Sequence, residues 1–279
     1  MPVPTKLKTS ASVILLQEGS GEEEPFRLFL LRRSDRSSFM PGRYVFPGGM
    51  VEESDGPAEE GLRLCALREL FEEAGVILAT DPLASAGLNQ DQKDQARQRL
   101  HQGRESLVSA LAGLGLEPDS GALIPFARWI TPPARAKRFD GYFFLALHPR
   151  GQEAEADEKE TSQGVWLGPD RALEENRAGR VLLAPPQVRI LGELACFGSL
   201  RELLDQAPQA EPKPVRPILW AGEGERTIIL PWDPDYQTGR PVRGAELCEA
   251  GDCSRLVHCQ GRWLPFLSRI FHEDRQKKR

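Results

Sequence analysis

The chain has 279 residues, 40% of them hydrophobic and 28% charged, with 26 Gly and 23 Pro; this globular, turn-rich composition is long enough to bury a core and excludes a collagen-like or wholly disordered chain. A net charge of −5 gives nothing global to draw the chain onto polyanions, so no nucleic-acid surface is expected and any phosphate must be met by local cations or a metal ion. Five scattered cysteines make no disulfide framework and point to a reducing, cytoplasmic compartment, and no apolar run approaches the roughly 20 residues of a membrane helix.

In chain order, apolar segments at 11–17 and 26–31, parted by Gly19-Ser20-Gly21 and Glu22-Glu23-Glu24, predict two strands and a solvated turn. Tyr44-Val45-Phe46 predicts a third strand, closed by Pro47-Gly48-Gly49, whose glycines let the backbone approach a ligand closely. The spacing predicts a helix over 57–74, with Pro57 at its first position and Gly75 just past its last turn. Residues 80–120 turn polar and helix-prone and read as a helical pair with a weak apolar face. Strands return at 123–130 and 142–147. The acidic run 153–160 leads into Gly164-Val165-Trp166-Leu167, a short helix starts at Pro169, and a longer amphipathic helix follows Pro185-Pro186 over about 186–206. The Pro-rich stretch 208–217 reads as a linker or surface wrap. After it, residues 227–230 and a hairpin at Gln260-Gly261 predict a small β-rich extension that ends in a basic 275–279. The chain thus divides into a main domain over 8–207, with a helical insertion at about 80–120, and a Pro-rich connector with its extension over 208–279.

The chemistry concentrates in Arg68-Glu69-Leu70-Phe71-Glu72-Glu73-Ala74-Gly75-Val76. At about 100° per residue, Glu69, Glu72 and Glu73 fall within one arc, opposite Leu64, Leu67 and Phe71, so three exposed carboxylates are expected to converge over a core-backed face. Like charges three and four residues apart cost a few tenths of a kcal/mol per pair. A solvated acidic face is the plain reading of such a pattern. A hard divalent ion, Mg²⁺ or Mn²⁺, is the ligand that all-oxygen donors would suit, and such ions bind diphosphate oxygens and lower the pKa of bound water.

With Gly48-Gly49 and Glu60 before it, this segment resembles the Nudix box, Gly-x5-Glu-x7-Arg-Glu-U-x-Glu-Glu-x-Gly-U. The resemblance implies an α/β/α sandwich with a mixed sheet and a metal-dependent hydrolase of nucleoside diphosphates linked to another group. It makes Glu72 and Glu73 metal ligands, Glu69 a ligand or general base, and Arg68 an orienting ion-pair partner. Ten residues separate Gly49 from Glu60 instead of five, and Glu60 lies off the carboxylate arc, so its role is supporting. A distal carboxylate is also implied, for which Glu160, six residues before Trp166, competes with Glu158.

Leu30-Leu31-Arg32-Arg33-Ser34, Phe39-Met40-Pro41-Gly42, Val45-Phe46-Pro47-Gly48-Gly49, Thr131-Pro132, Arg138-Phe139-Asp140 and Leu183-Ala184-Pro185-Pro186-Gln187, in this order, are similar to the branch of the peroxisomal acyl-coenzyme A diphosphatases. The basic end is not a Ser-Lys-Leu type address, and Gly141 stands where branch members often have Thr. The branch implies a small-molecule substrate, coenzyme A (CoA) or acyl-CoA, cut to 3′,5′-ADP and (acyl) 4′-phosphopantetheine. Arg32, Arg33, Pro47, Gly48, Gly49, Arg138 and Phe139 would bind it, with Arg32, Arg33, Lys137 and Arg138 as cations for the 3′-phosphate. Other substrates of the superfamily (ADP-ribose, NADH, a noncanonical nucleoside triphosphate) and a metal-dead binding module stay open. Cys248, Cys253, Cys259 and His258 lack the tight C-x2-C spacing of a zinc knuckle. Trp129, Trp166 and Phe143-Phe144 read as core.

Overall fold

The computed structural model describes residues 6–37, 40–207, 212–222, 224–242 and 244–268; Phe39 of the second motif, residues 208–211 of the Pro-rich stretch and the basic 275–279 lie outside them. β1 (Lys8–Gly21) and β2 (Glu24–Arg33) pair antiparallel across the expected turn. Along β1, Val13 and Leu15 enter one core and Ile14 and Leu16 another, all fully buried, because successive side chains of a strand point to opposite faces and this strand is covered on both.

β1 runs parallel to β6 (Phe139–Leu147), from Lys8↔Phe139 to Leu16↔Leu147. With β3 (Tyr44–Val45), β4 (Gly48–Met50), β5 (Ile124–Ile130) and β7 (Thr161–Leu167), they make a seven-stranded mixed sheet of order β3-β2-β1-β6-β5, β4 joining β1 and β7 joining β2. A parallel neighbour requires a long crossover. That crossover carries α1 (Ala58–Ala74), α2 (Pro82–Ala86), α3 (Gln90–His101) and α4 (Leu107–Ala112). Leu70 and Phe71 of α1, Leu100 of α3 and Leu111 of α4 share a core with Val13 and Leu15. On the other face lie α5 (Pro169–Arg177), α6 (Pro185–Leu194) and α7 (Leu200–Gln206), whose Leu173, Leu191 and Leu203 pack with Ile14 and Leu16. The result is the α/β/α sandwich with a mixed sheet.

Three local differences from the sequence reading have physical causes. Pro57 is the residue before α1 rather than its first. The 80–120 segment holds three helices instead of two, each opened by a side-chain cap: Asp81 accepts from Ala84 N at 2.9 Å, Asn89 from Gln92 N at 2.8 Å, and Ser106 from Ser109 N at 3.3 Å. The helix expected over 186–206 is two, because Ser199 caps a new start and Glu202 accepts from Gly198 N at 2.9 Å.

The remaining chain forms an antiparallel sheet of β8 (Ile218–Gly222), β9 (Glu225–Ile229), β10 (Ala245–Leu247), β11 (Arg255–Cys259) and β12 (Arg262–Ser268), in the order β10-β12-β11-β9-β8. Its Ile228, Leu256 and Trp263 enter the same core as Leu173 and Leu191. Asn176 of α5 pins this sheet to the main one by donating to Trp263 O at 2.9 Å and accepting from Leu183 N at 3.1 Å.

Candidate active site

Gly75 takes the left-handed conformation (φ 70°) just past α1, and its N–H bonds Phe71 O, ending the helix where a bulkier residue would be strained. The second half of α1 is packed almost all round, so the expected exposed carboxylate arc is a buried one: Glu72 and Glu73 are 8% and 3% exposed. The cover is β4. Gly48 and Gly49 pair with Ser12 and Ala11 of β1, and Gly48 N–H donates to Glu73 Oε2 at 2.9 Å. A Cβ on Gly48 would stand 2.6 Å from Ala11 O, so glycine there lets β4 pair closely with β1, and one on Gly49 would stand 2.2 Å from Glu69 Oε1 and displace that carboxylate from its present position.

Arg68, 4% exposed, organises the floor. It donates to Asp55 Oδ1 and Oδ2 at 2.7 and 2.9 Å, to Glu69 Oε1 at 2.9 Å, to Glu72 Oε2 at 3.1 Å and to Met50 O at 3.0 Å. Asp55 belongs to the stretch that lengthens the Gly49-to-Glu60 spacing and was missed by sequence reasoning. Its signal was local, a Glu52/Asp55 capping box in which Glu52 N bonds Asp55 Oδ2 at 2.8 Å. Glu60 is exposed.

Glu69, Glu72 and Glu73 each hold a carboxyl raised above the ordinary range, Glu69 pushed up to about 7. Burial is the main cause in all three. Arg68 opposes it for Glu69 and Glu72, the Gly48 N–H and Arg33 oppose it for Glu73, and Glu160 raises all three. The donor chemistry therefore suits a hard divalent cation, being oxygen-only, anionic and under-compensated. Among the described residues no three His, Cys, Asp or Glu side chains form a ready metal-ligating group; Arg68 engages both Glu69 and Glu72.

This arrangement fixes a sign. A carboxyl whose folded pKa is raised contributes stability that is whole below its ordinary value of 4.5 and is lost as pH rises through the folded value. These groups should make the metal-free protein melt higher at pH 5 than at pH 8, and Mg²⁺ should raise the melting temperature at pH 8 more than at pH 5. Melting curves in chelator and in Mg²⁺ at both pH values check this; an equal Mg²⁺ effect at the two would contradict a cation site here.

The glutamates floor a cleft of about 970 Å³, the upper end of small-ligand pockets. Arg33, Gly48, Gly49, Arg138, Phe139 and Glu160 line it with Arg68 and the three glutamates. Arg32 and Pro47, expected to bind substrate, are not among its walls. Arg32 neighbours Arg33 on β2, and the period of two turns it away, onto Asp35 at 2.7 Å and Ser162 at 3.1 Å. Pro47 is buried, its carbonyl accepting from Val13 N. Trp129 and Phe143, read as core, are 7% exposed and edge the cleft as an apolar wall.

Glu160 rather than Glu158 faces the cleft. Asp157 shapes this loop by accepting from Glu160 N at 3.1 Å and from Thr161 N and Oγ1 at 2.9 and 2.7 Å. Asp157-x-x-Glu160-Thr161 is a turn signature the acidic run concealed. The helical insertion braces the same place, and sequence reasoning gave it no such part. Arg97 of α3 donates to Glu72 O at 2.7 Å and to Glu155 O at 3.1 Å, and the corner after α3, with His101 and Arg104, forms a wall of the cleft.

Residues 56–194 match a family model described as the NUDT19 Nudix domain. The chain is 28% identical to an acyl-coenzyme A diphosphatase NUDT19 of Gallus gallus, over 82% of this chain and 81% of that one, and 29% identical to the Homo sapiens protein of the same name, over 72% of each. A shorter match, 38% identical over 26% of this chain and 31% of the relative, is to the peroxisomal coenzyme A diphosphatase ndx-8 of Caenorhabditis elegans. Among solved structures, a NUDIX hydrolase from Alicyclobacillus acidocaldarius superposes with a TM-score of 0.64 at 23% identity, covering 75% of this chain and all of that one.

Proposed function

Because the chain belongs to the Nudix hydrolase superfamily, we propose that it cleaves the diphosphate of coenzyme A or an acyl-CoA, giving 3′,5′-ADP and (acyl) 4′-phosphopantetheine. The observation that carries the reading is the set of three under-compensated glutamates on one helix, Glu72 and Glu73 buried and Glu69 partly so, lining with Glu160 a cleft large enough for such a substrate. A pure binding module has no use for buried carboxylates whose mutual repulsion costs it stability.

Glu69, Glu72 and Glu73 would hold Mg²⁺ or Mn²⁺, which neutralises diphosphate oxygens and acidifies a water molecule. Arg68, held by Asp55, keeps Glu69 and Glu72 in place. The Gly48 N–H fixes one oxygen of Glu73. Glu160 takes the proton of the attacking water on its carboxylate as the water oxygen bonds to phosphorus and the bridging P–O bond breaks. Arg33 and Arg138 meet phosphate oxygens, and the Trp129 and Phe143 wall meets the apolar end of the substrate. Five free cysteines support a reducing compartment, of which the cytoplasm is our reading.

Hydrolysis of CoA, acyl-CoA, NADH and ADP-ribose by the full chain, with and without chelator, tests the proposal. Chelator-sensitive turnover of CoA or acyl-CoA in preference to the others is expected. No turnover of either CoA species would refute the substrate; turnover undiminished by chelator would refute the metal.

A further inference from the structure

Away from the glutamates, a group of like charges stands without a counter-ion. Arg43, just before β3, donates to two carbonyl oxygens, Leu183 O at 2.9 Å and Gly261 O at 3.0 Å, the latter at the tip of the β11–β12 hairpin. His258 lies on the same hairpin, and Arg226 of β9 meets its Nδ1 at 3.0 Å. Arg135 stands on the loop between β5 and β6, exposed like Arg226. Among the described residues none of these three arginines bonds a carboxylate.

Burial first, then the charges of Arg226 and Arg135, lower the pKa of Arg43; burial, then Arg226 and Arg43, lower that of His258. The cations therefore repel one another, in a chain whose net charge is −5. Such a concentration is unfavourable when empty and is a focus for an anion.

The place of the cluster decides which anion. Leu183 and Arg135 adjoin Ala184 and Ala136, and both alanines line the active-site cleft. Arg43, through Leu183, and Arg135 are thus tied to the edge of the cleft, and the β11–β12 hairpin, which takes Arg43 at Gly261 and Arg226 at His258, brings the C-terminal sheet to the same side. Guanidinium forks match the oxygens of a phosphate, and more than one neighbouring cation suits a dianion better than a carboxylate.

We propose that Arg43, Arg135 and Arg226 form an anion subsite for a phosphomonoester, the 3′-phosphate of the CoA-type substrate, so that the C-terminal sheet takes part in substrate recognition. The subsite rests on the substrate reading above for the identity of its phosphate. It replaces Arg32, which the fold turns from the cleft.

The test is calorimetric titration of the full chain in Mg²⁺ with 3′,5′-ADP and with 5′-AMP, which differ only in the 3′-phosphate. Wild type should bind 3′,5′-ADP roughly tenfold or more tightly than 5′-AMP, the worth of a charge-assisted contact. Arg226→Glu and Arg135→Glu, at exposed positions where folding is not at stake, should bring that ratio toward one and raise KM for CoA with kcat retained. Equal binding of the two nucleotides by wild type, or an undiminished ratio in both variants, would overturn the subsite. So would inorganic phosphate alone binding as tightly as 3′,5′-ADP, since the site would then be a general anion site. A wild type that shows the preference but hydrolyses neither CoA nor acyl-CoA would sink the proposed reaction and keep the subsite. Hydrolysis of CoA with a ratio unmoved in the variants would do the reverse.

Discussion

Glu73→Gln should lower turnover by roughly 10²- to 10⁴-fold while the protein folds and melts no lower than wild type in chelator. The side chain is fully enclosed, touches the Gly48 N–H through Oε2 and gains no cationic hydrogen bond from Arg68. The amide keeps the volume and an oxygen for the Gly48 N–H. It removes a negative charge whose carboxyl is already raised well above its ordinary range by burial and by Glu69. Without metal, the neutral side chain is the better guest, so the melting temperature should hold or rise. With metal the order reverses, because the variant has lost an anionic ligand: the rise in melting temperature that Mg²⁺ produces at pH 8 should shrink along with the rate. Undiminished hydrolysis would remove Glu73 from the reaction. A variant that fails to fold in chelator would show instead that the carboxylate charge is structural.

The result would also separate what the sequence could tell from what it could not. The helix, its glycine stop and the grouping of Glu69, Glu72 and Glu73 follow from a 100° step and the conformational freedom of Gly75, both local properties. Burial of the group does not. It arises because β4 crosses α1, and β4 is a three-residue strand of Gly48, Gly49 and Met50 with no alternating apolar pattern to announce it. Arg32 and Arg33 illustrate the same limit at the scale of one residue. Both are in the motif, but only the strand's register decides which faces the cleft. Pairings across long separations, such as Arg97 with Glu72 or Arg43 with Gly261, lie beyond any local signal.

Arg68→Ala should be the most destabilising single change at the site, by about 3–5 kcal/mol, because it leaves buried carboxylates without their cation. At 2–4 °C per kcal/mol for a chain of this order, the melting temperature should fall by roughly 10 °C. Asp55 is bound through both oxygens and is 3% exposed, so it cannot recover its loss from solvent. Arg68→Lys should recover only part of the loss, since an ammonium cannot span Asp55, Glu69, Glu72 and Met50 O at once. Removing Arg68 raises the carboxyls around it, and the stability such groups contribute disappears as pH increases through their folded pKa. The deficit relative to wild type should therefore be wider at pH 8 than at pH 5. Asp55→Ala in the Arg68→Ala background should cost much less than in wild type, the coupling expected of direct partners. Glu60→Ala, at an exposed position, should shift stability by no more than about 0.5 kcal/mol. Chemical denaturation of these variants at both pH values measures all of this, and additivity of Arg68→Ala with Asp55→Ala would break the pair. The reason for the lengthened loop follows from the same pair. The extra residues between Gly49 and Glu60 fold as a short 3₁₀ turn over Glu53–Asp55, and that turn delivers to Arg68 a carboxylate that Glu60, out on the solvent side of α1, does not supply.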